Sequence, residues 1–373
     1  MPLRYFGVSY PVKKFTKKDI RDQLTPRQAL QDTIHFIQAK QAEYGCGPRG
    51  SKTYCPVMTV GGSYAGLLST LIRKTYPDVV DIGYSGSPCL LLFGHQVTPY
   101  RYYEYITQVA ETISHGCKDA VRSAIAEVQA DLGSTTKRHQ LQSKAKDYGI
   151  CPNLPHSIKS GDDLAEEISS YTSSNFAGTN MDYYPPSPDQ PFFKGCTIFQ
   201  DNQKTVPEKV KAYIAMISGS SQCYDLSAGD ADAGEDGVDL WDALCCYLVP
   251  QIGKSKATMW PPHKYKLQND VKDCRENFGI ELDREYLEKE FGVNDLSDVT
   301  HLLITNGVND GWYALSYTDS VPSNHNGGVV LLTMENGAHH SDLTHQLQAD
   351  TPDVELVHAQ IADLIATWLA EIK

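Results

Sequence analysis

The 373 residues carry 46 Asp and Glu against 33 Lys and Arg, a net charge of −13, with 41% hydrophobic and 21% charged residues. This is ordinary globular usage over a length ample for one large core or a core plus a cap, which excludes disordered and collagen-like chains. The acidity and the lack of clustered Lys and Arg exclude nucleic acid as a partner, and no apolar run approaches the ~20 residues needed to cross a bilayer.

Met1-Pro2-Leu3-Arg4 is not a basic start followed by an apolar signal core, so the chain as given shows no export signal. Strand-like and helix-like segments alternate up to about Ser85. Within them Thr53 to Val60 is an apolar run, Gly61-Gly62-Ser63-Tyr64-Ala65-Gly66 follows, and Leu67 to Ile72 continues as a helix. Pro99 to about Leu132 forms a long helical pattern. From there to about Asp295 the pattern is helical pieces separated by Pro-, Ser- and Gly-rich loops such as Asn180 to Phe193. Strand-like runs resume at Val299 to Ile304 and Val329 to Leu332. A terminal helix follows with the apolar stripe Val354, Val357, Ile361, Leu364, Ile365, Trp368 and Ile372. The reading is an α/β sheet domain interrupted by a helical insertion.

Strand, sharp turn and helix with a serine at the apex is how α/β-hydrolases present a nucleophile, and the strained elbow demands glycine or nearly so two residues before and two after the serine. Ala65 loosens that pattern. The bland alternative is a Gly-rich turn with an ordinary serine. Asn306-Gly307-Val308-Asn309-Asp310-Gly311-Trp312 follows one later strand and Gly337-Ala338-His339-His340-Ser341-Asp342 the next, so an acid and a histidine each fall just past a strand's carboxyl end. The order Ser, Asp, His is the hydrolase-fold order. Asp310 beside Gly311 also suits a plain turn, and either histidine suits core packing.

Other groupings carry less. An EF-hand loop starting at Asp230 in the stretch Asp230 to Gly237 would need glutamate where Trp241 stands, so a solvated loop is the reading and no metal or cofactor is assigned. Tyr100, Tyr102, Tyr103 and Tyr105 lie at helical spacing and read as a cap interface rather than a ligand stripe. Ten cysteines without Cys-Xaa-Xaa-Cys spacing point to an oxidising compartment, with buried thiols as the alternative. No Asn-Xaa-Ser/Thr sequon occurs.

The Gly-Gly-Ser-Tyr elbow, the Asn306 to Trp312 acid loop and the Gly337 to Leu343 histidine loop together resemble the serine carboxypeptidases of peptidase family S28. Leu3-Arg4-Tyr5-Phe6-Gly7-Val8-Ser9-Tyr10-Pro11 is similar to the family's Arg-Tyr-Tyr-Gly segment, and Leu24 to Leu30 to the start of its next helix. Ala65 and Gly311 depart from the family pattern. By that resemblance the chain looks truncated at its amino end, lacking the first sheet strands and a Gly-Asn-Glu-Gly loop near the active site.

The resemblance implies a serine-type exopeptidase acting on proline-containing peptides, with α/β-hydrolase core at 1–95 and 296–373 and a helical, cysteine-rich cap at 96–295. Ser63 would be the nucleophile, Asp310 the acid, and His339, the first of the pair, the base; the backbone N–H of Tyr64 would serve the oxyanion, and Leu67 and Trp312 would line a proline pocket. It further implies Cys117 with Cys196, Cys151 with Cys223, and Cys245 or Cys246 with Cys274 as disulfides, and a secreted or vacuolar/lysosomal setting. A homodimer is left open. A serine esterase or lipase on the same fold, and a truncated product with an impaired triad, remain the alternatives.

Overall fold

A computed structural model describes residues 4–11, 15–220, 222–226, 239–320, 328–344 and 348–372. Leu3, at the start of the Arg-Tyr segment, and the acidic stretch Asp230 to Gly237 lie outside the described residues. In chain order the elements are α1 (Lys17–Gln23), α2 (Pro26–Glu43), β1 (Met58–Gly62), α3 (Tyr64–Thr75), β2 (Ile82–Gly86) and α4 (Leu90–Phe93). Then come α5 (Arg101–Ile113), α6 (Cys117–Leu132), α7 (Arg138–Asp147), α8 (Gly161–Met181), α9 (Pro191–Gln200), α10 (Val206–Ser218), α11 (Leu240–Leu248), α12 (Leu267–Asp273) and α13 (Tyr286–Phe291). The chain closes with β3 (Leu302–Gly307), β4 (Val329–Met334) and α14 (Pro352–Glu371).

All four strands are parallel, in the order β1-β2-β3-β4, with Met58 opposite Ile82, Gly83 opposite Leu302 and Leu302 opposite Val329. Parallel strands need crossovers and both faces covered, which is why β2 and β3 are buried along their whole length. Leu302 and Ile304 face one side, in a core that includes Leu67 and Leu71 of α3; Leu303, Ile82 and Tyr84 face the other, against Val354, Val357 and Ile361 of α14. The terminal helix thus buries the stripe read from its sequence, with Leu364, Ile365 and Ile372 partly buried at its margin.

The core on the α3 side continues without a break into the helices between β2 and β3, through Ile106, Val121, Leu164, Phe176 and Phe199. The fold is therefore an α/β sheet interrupted by a helical, cysteine-bearing insertion. Cys117–Cys196, Cys151–Cys223 and Cys246–Cys274 are bonded there, and Cys46–Cys55, a pair not named from the sequence, closes the loop before β1. Of the two candidates for Cys274, Cys246 is the partner and Cys245 is free. Cys246 sits on the buried face of α11, whereas Cys245, one residue round the helix, is half-buried.

Two segment boundaries differ from the sequence reading. The long helical pattern from Pro99 to Leu132 is two helices, broken where Ser114 turns extended and Gly116 takes φ +84°, a conformation glycine adopts without strain. Glu111 then caps the second helix by accepting the N–H groups of Gly116 and Lys118 at 2.9 and 3.2 Å. The loop assigned from Asn180 starts later, because Asn180 and Met181 are the last two residues of α8.

Candidate active site

Ser63 stands between β1 and α3 with φ +57° and ψ −126°, outside the ordinary regions for a residue with a side chain. Its N–H donates to the carbonyl of Gly86 at the end of β2, so the strand pairing holds the strained turn in place. Ala65 is exposed, and its methyl has room. The crowded positions are instead Gly61, where a Cβ would lie 2.2 Å from the Ala65 carbonyl oxygen, and Gly66, where one would lie 2.9 Å from the Gly86 carbonyl oxygen.

Asp310 lies in the loop after β3, wholly buried, and His339 in the loop after β4, with its side chain only 7% exposed. His339 Nδ1 donates to Asp310 Oδ2 at 2.6 Å, and the other carboxylate oxygen accepts the N–H of Trp312 at 3.0 Å. Since Nδ1 is engaged by the acid, Nε2 is the ring nitrogen free to take a proton. The parallel sheet brings Ser63, Asp310 and His339, some 276 residues apart in sequence, to the carboxyl ends of β1, β3 and β4.

The adjacent His340 is held differently. It takes φ +41°, its N–H donates to Ser87 Oγ at 3.0 Å, and its ring packs on Gly62, where a Cβ would come within 2.8 Å of it. The two imidazole rings lie 4.5 Å apart, and burial together with His339 pulls His340 below the usual imidazole range. A charged His340 would be poorly solvated here, which suits a packing role.

Tyr64 is the first residue of α3, so its N–H belongs to the group at a helix start that lacks an intrahelical partner. Its ring is buried edge-on against Trp241. Leu67 has no exposed surface and lies in the main core. Trp312 is half-buried at the margin of that core, stacked on Tyr102 of α5 at 4.0 Å between ring centres and 6.4 Å from the His339 ring. Tyr105, next along α5, donates its hydroxyl to the Val308 carbonyl and stacks on Tyr313. Of the four tyrosines read as a cap interface, Tyr102 and Tyr105 thus cover the acid loop, while Tyr103 packs on Trp260.

Three residues around this loop, Cys89, Asn180 and Met181, carry no sequence motif pointing to them, and a fourth, Asp342, lies in the histidine motif without an assigned role. Cys89 is a buried free thiol, pushed well above its ordinary range by burial and then by Asp310. Asp342 accepts from Tyr84 and Thr305 on β2 and β3. Asn180 brackets Asp310, accepting the N–H of Gly311 and donating to the carbonyl of Asn309, both at 2.7 Å. Met181 accepts the N–H of His339 at 3.1 Å through its carbonyl and the indole N–H of Trp312 at 3.0 Å through its sulfur. Among the described residues no group of three or more His, Cys, Asp or Glu could hold a metal ion, and no helix is long and apolar enough to cross a membrane.

A parallel sheet with a strained serine at one strand end and a buried acid–imidazole pair at two others defines an α/β-type hydrolase scaffold. Comparison with known proteins narrows this. The family model described as serine carboxypeptidase S28 matches residues 3–361. The chain is 22% identical to a protein named lysosomal Pro-X carboxypeptidase from Bos taurus, over 99% of this chain and 73% of that protein. It is 25% identical to prolyl carboxy peptidase like protein 5 from Caenorhabditis elegans, over 99% of this chain and 76% of that one, and 22% identical to the Homo sapiens lysosomal Pro-X carboxypeptidase over 99% and 74%. The chain belongs to the serine carboxypeptidase S28 family, and with it to the serine exopeptidases among the hydrolases.

Proposed function

We propose that this chain hydrolyses the peptide bond after proline through a Ser63–His339–Asp310 triad and an acyl-enzyme. The observation that carries the reading is the 2.6 Å bond between His339 Nδ1 and the buried Asp310 carboxylate, in loops at the same sheet end as the strained Ser63.

A serine hydroxyl is a poor nucleophile at neutral pH. His339 Nε2 takes the Ser63 proton as Oγ attacks the carbonyl carbon, and Asp310 stabilises the imidazolium that forms. The Tyr64 N–H donates to the oxyanion of the tetrahedral intermediate. Collapse breaks the C–N bond, His339 returns the proton to the leaving amine, and water then repeats the sequence on the ester. Trp312 offers a flat apolar wall to a proline ring, while Leu67, assigned to the same pocket by the resemblance, lies enclosed in the core against which Trp312 packs. Residues 96–295 act as the cap over core segments 1–95 and 296–373, and the working environment is lysosomal or extracellular, as the relatives' names suggest for those proteins.

The test is labelling of the purified chain with a fluorophosphonate, followed by turnover of a proline peptide and of a short acyl ester. Labelling that vanishes in Ser63→Ala, preference for the proline peptide, and a fall of about 10- to 100-fold in that preference in Trp312→Ala are expected. Undiminished labelling in Ser63→Ala would remove the nucleophile, and preference for the ester would remove the peptidase assignment.

A further inference from the structure

Two consecutive residues at the carboxyl end of α8, Asn180 and Met181, reach every part of the acid–base apparatus. Asn180 has no exposed surface. Its amide spans the acid: Oδ1 accepts the Gly311 N–H on one side of Asp310, and Nδ2 donates to the Asn309 carbonyl on the other, each at 2.7 Å. The amide supplies an acceptor and a donor on one planar group, so an aliphatic side chain reproduces neither bond and a carboxylate reproduces only the one from Gly311. Met181 adds the bond from the His339 N–H to its carbonyl and the bond from the Trp312 indole to its sulfur.

The consequence for the acid is geometric. Asp310 follows directly on Asn309 and precedes Gly311, so fixing a carbonyl before it and an N–H after it fixes the peptide planes on both sides of its Cα, and with them the direction of its carboxylate. The 3₁₀ turn beginning at Gly311 cannot relax away from α8 while both bonds stand. Gly311 itself is hemmed in, since a Cβ there would lie 2.6 Å from Ile106 and 3.0 Å from the Asn180 Oδ1.

We infer that Asn180 is a positioning residue for the Asp310–His339 pair, so that the helix α8 forms part of the catalytic apparatus rather than only a wall over it. The inference rests on the triad reading given above. Withdrawal of α8 and a correctly aimed Asp310 then exclude each other, and any opening that admits substrate leaves the end of α8 in place.

Asn180→Ala and Asn180→Asp are compared with Asn175→Ala in the full chain. Asn175 is a control on the same helix, with its amide bonded only within α8, to the Tyr171 carbonyl. Three readouts are taken: fluorophosphonate labelling rate per folded molecule, kcat and KM on a proline peptide, and the proton resonance of His339 Nδ1–H. In Asn180→Ala, labelling and kcat fall by about 10²-fold with KM little changed, the scale on which small misplacements act, and the Nδ1–H resonance is lost or displaced. Asn180→Asp, nearly isosteric and usable if the alanine variant does not fold, keeps the acceptor for Gly311. Having lost only the donor to the Asn309 carbonyl, it is expected to lower labelling and kcat less than Asn180→Ala and to displace the same resonance. A folded Asn180→Ala that matches Asn175→Ala in rate and resonance overturns the inference. If Ser63 proves unreactive, the triad reading fails on its own, and the resonance still decides whether Asn180 aims Asp310 at His339.

Discussion

Thr305 on β3 donates its hydroxyl to Asp342 Oδ2 at 2.6 Å, tying the loop that carries His339 to the strand whose loop carries Asp310. Tyr84 on β2 donates to the same oxygen, and the main-chain carbonyl of Asp342 accepts from His358 of α14 at 3.1 Å. A buried carboxylate costs free energy unless donors meet it. Here the donors come from two adjacent strands, so the histidine loop is registered against the sheet.

Thr305→Val removes one of those donors without changing size much. The expected loss is about 1–3 kcal/mol of unfolding free energy by urea titration, the usual cost of an unmet buried acceptor. Tyr84→Phe combined with Thr305→Val is expected to lose more than the sum of the singles, because the carboxylate oxygen then loses both of these donors at once. An unchanged midpoint in Thr305→Val would show that Asp342 is held by other means.

The neighbouring histidine sets a pH dependence of stability. His340 titrates below its ordinary value of 6.5, chiefly through burial and then through His339. As pH falls below about 6.5 the unfolded chain takes up a proton at this position while the folded chain does not, so stability declines until the lower folded value is passed. His340→Asn removes the titration and tolerates the left-handed backbone. The acid-side fall in melting temperature is expected to be shallower in His340→Asn than in the parent. Parallel curves between pH 4 and 7 would exclude the effect, with His339→Ala, expected to abolish labelling under the proposed triad, marking the separate role of its neighbour.

The division between what was legible and what was not follows from how local each signal is. That Ser63, Asp310 and His339 would fall at one end of the sheet was legible because an elbow and two strand-end loops leave short patterns, and because strand runs such as Leu302 to Ile304 announce which loops share a sheet end. The break at Ser114 to Gly116 was masked by helical periodicity on both sides. Asn180 was hidden for a different reason: its role depends on two backbone groups about 130 residues away, and a lone asparagine near Pro-rich sequence reads as a loop start. Asp342 belonged to the histidine motif, but its partners Tyr84 and Thr305 are ordinary strand residues until the sheet is assembled.

The bond between Cys117 and Cys196 joins the first turn of α6 to α9, both within the core of the insertion. It closes 79 residues of sequence, a separation for which loop-closure entropy predicts about 4 kcal/mol of stabilisation. Cys117→Ala with Cys196→Ala is expected to lower the melting temperature while leaving the fluorophosphonate labelling rate of folded molecules intact, because the bond joins α6 to α9 and neither helix carries a proposed triad residue. A melting temperature equal to the parent's would mean that residual structure already holds these two segments together in the unfolded chain.

The edge of the sheet at β1 carries the last expectation. β1 pairs only with β2 among the described residues, and Met58 and Val60 are 40% and 50% exposed. Their register opposite Ile82 and Tyr84 puts them on the α14 face, where the helix covers the inner strands and leaves β1 open; the other face is closed by α3, with Ser69 bonded to Thr59. An open strand edge with apolar side chains and no charge is a template for pairing with another chain, and natural sheets block such edges with lysine. Val60→Lys is therefore expected to reduce self-association at high protein concentration, read by light scattering, with labelling of Ser63 retained. If association is undiminished while the variant stays folded, the contact between chains lies elsewhere on the surface.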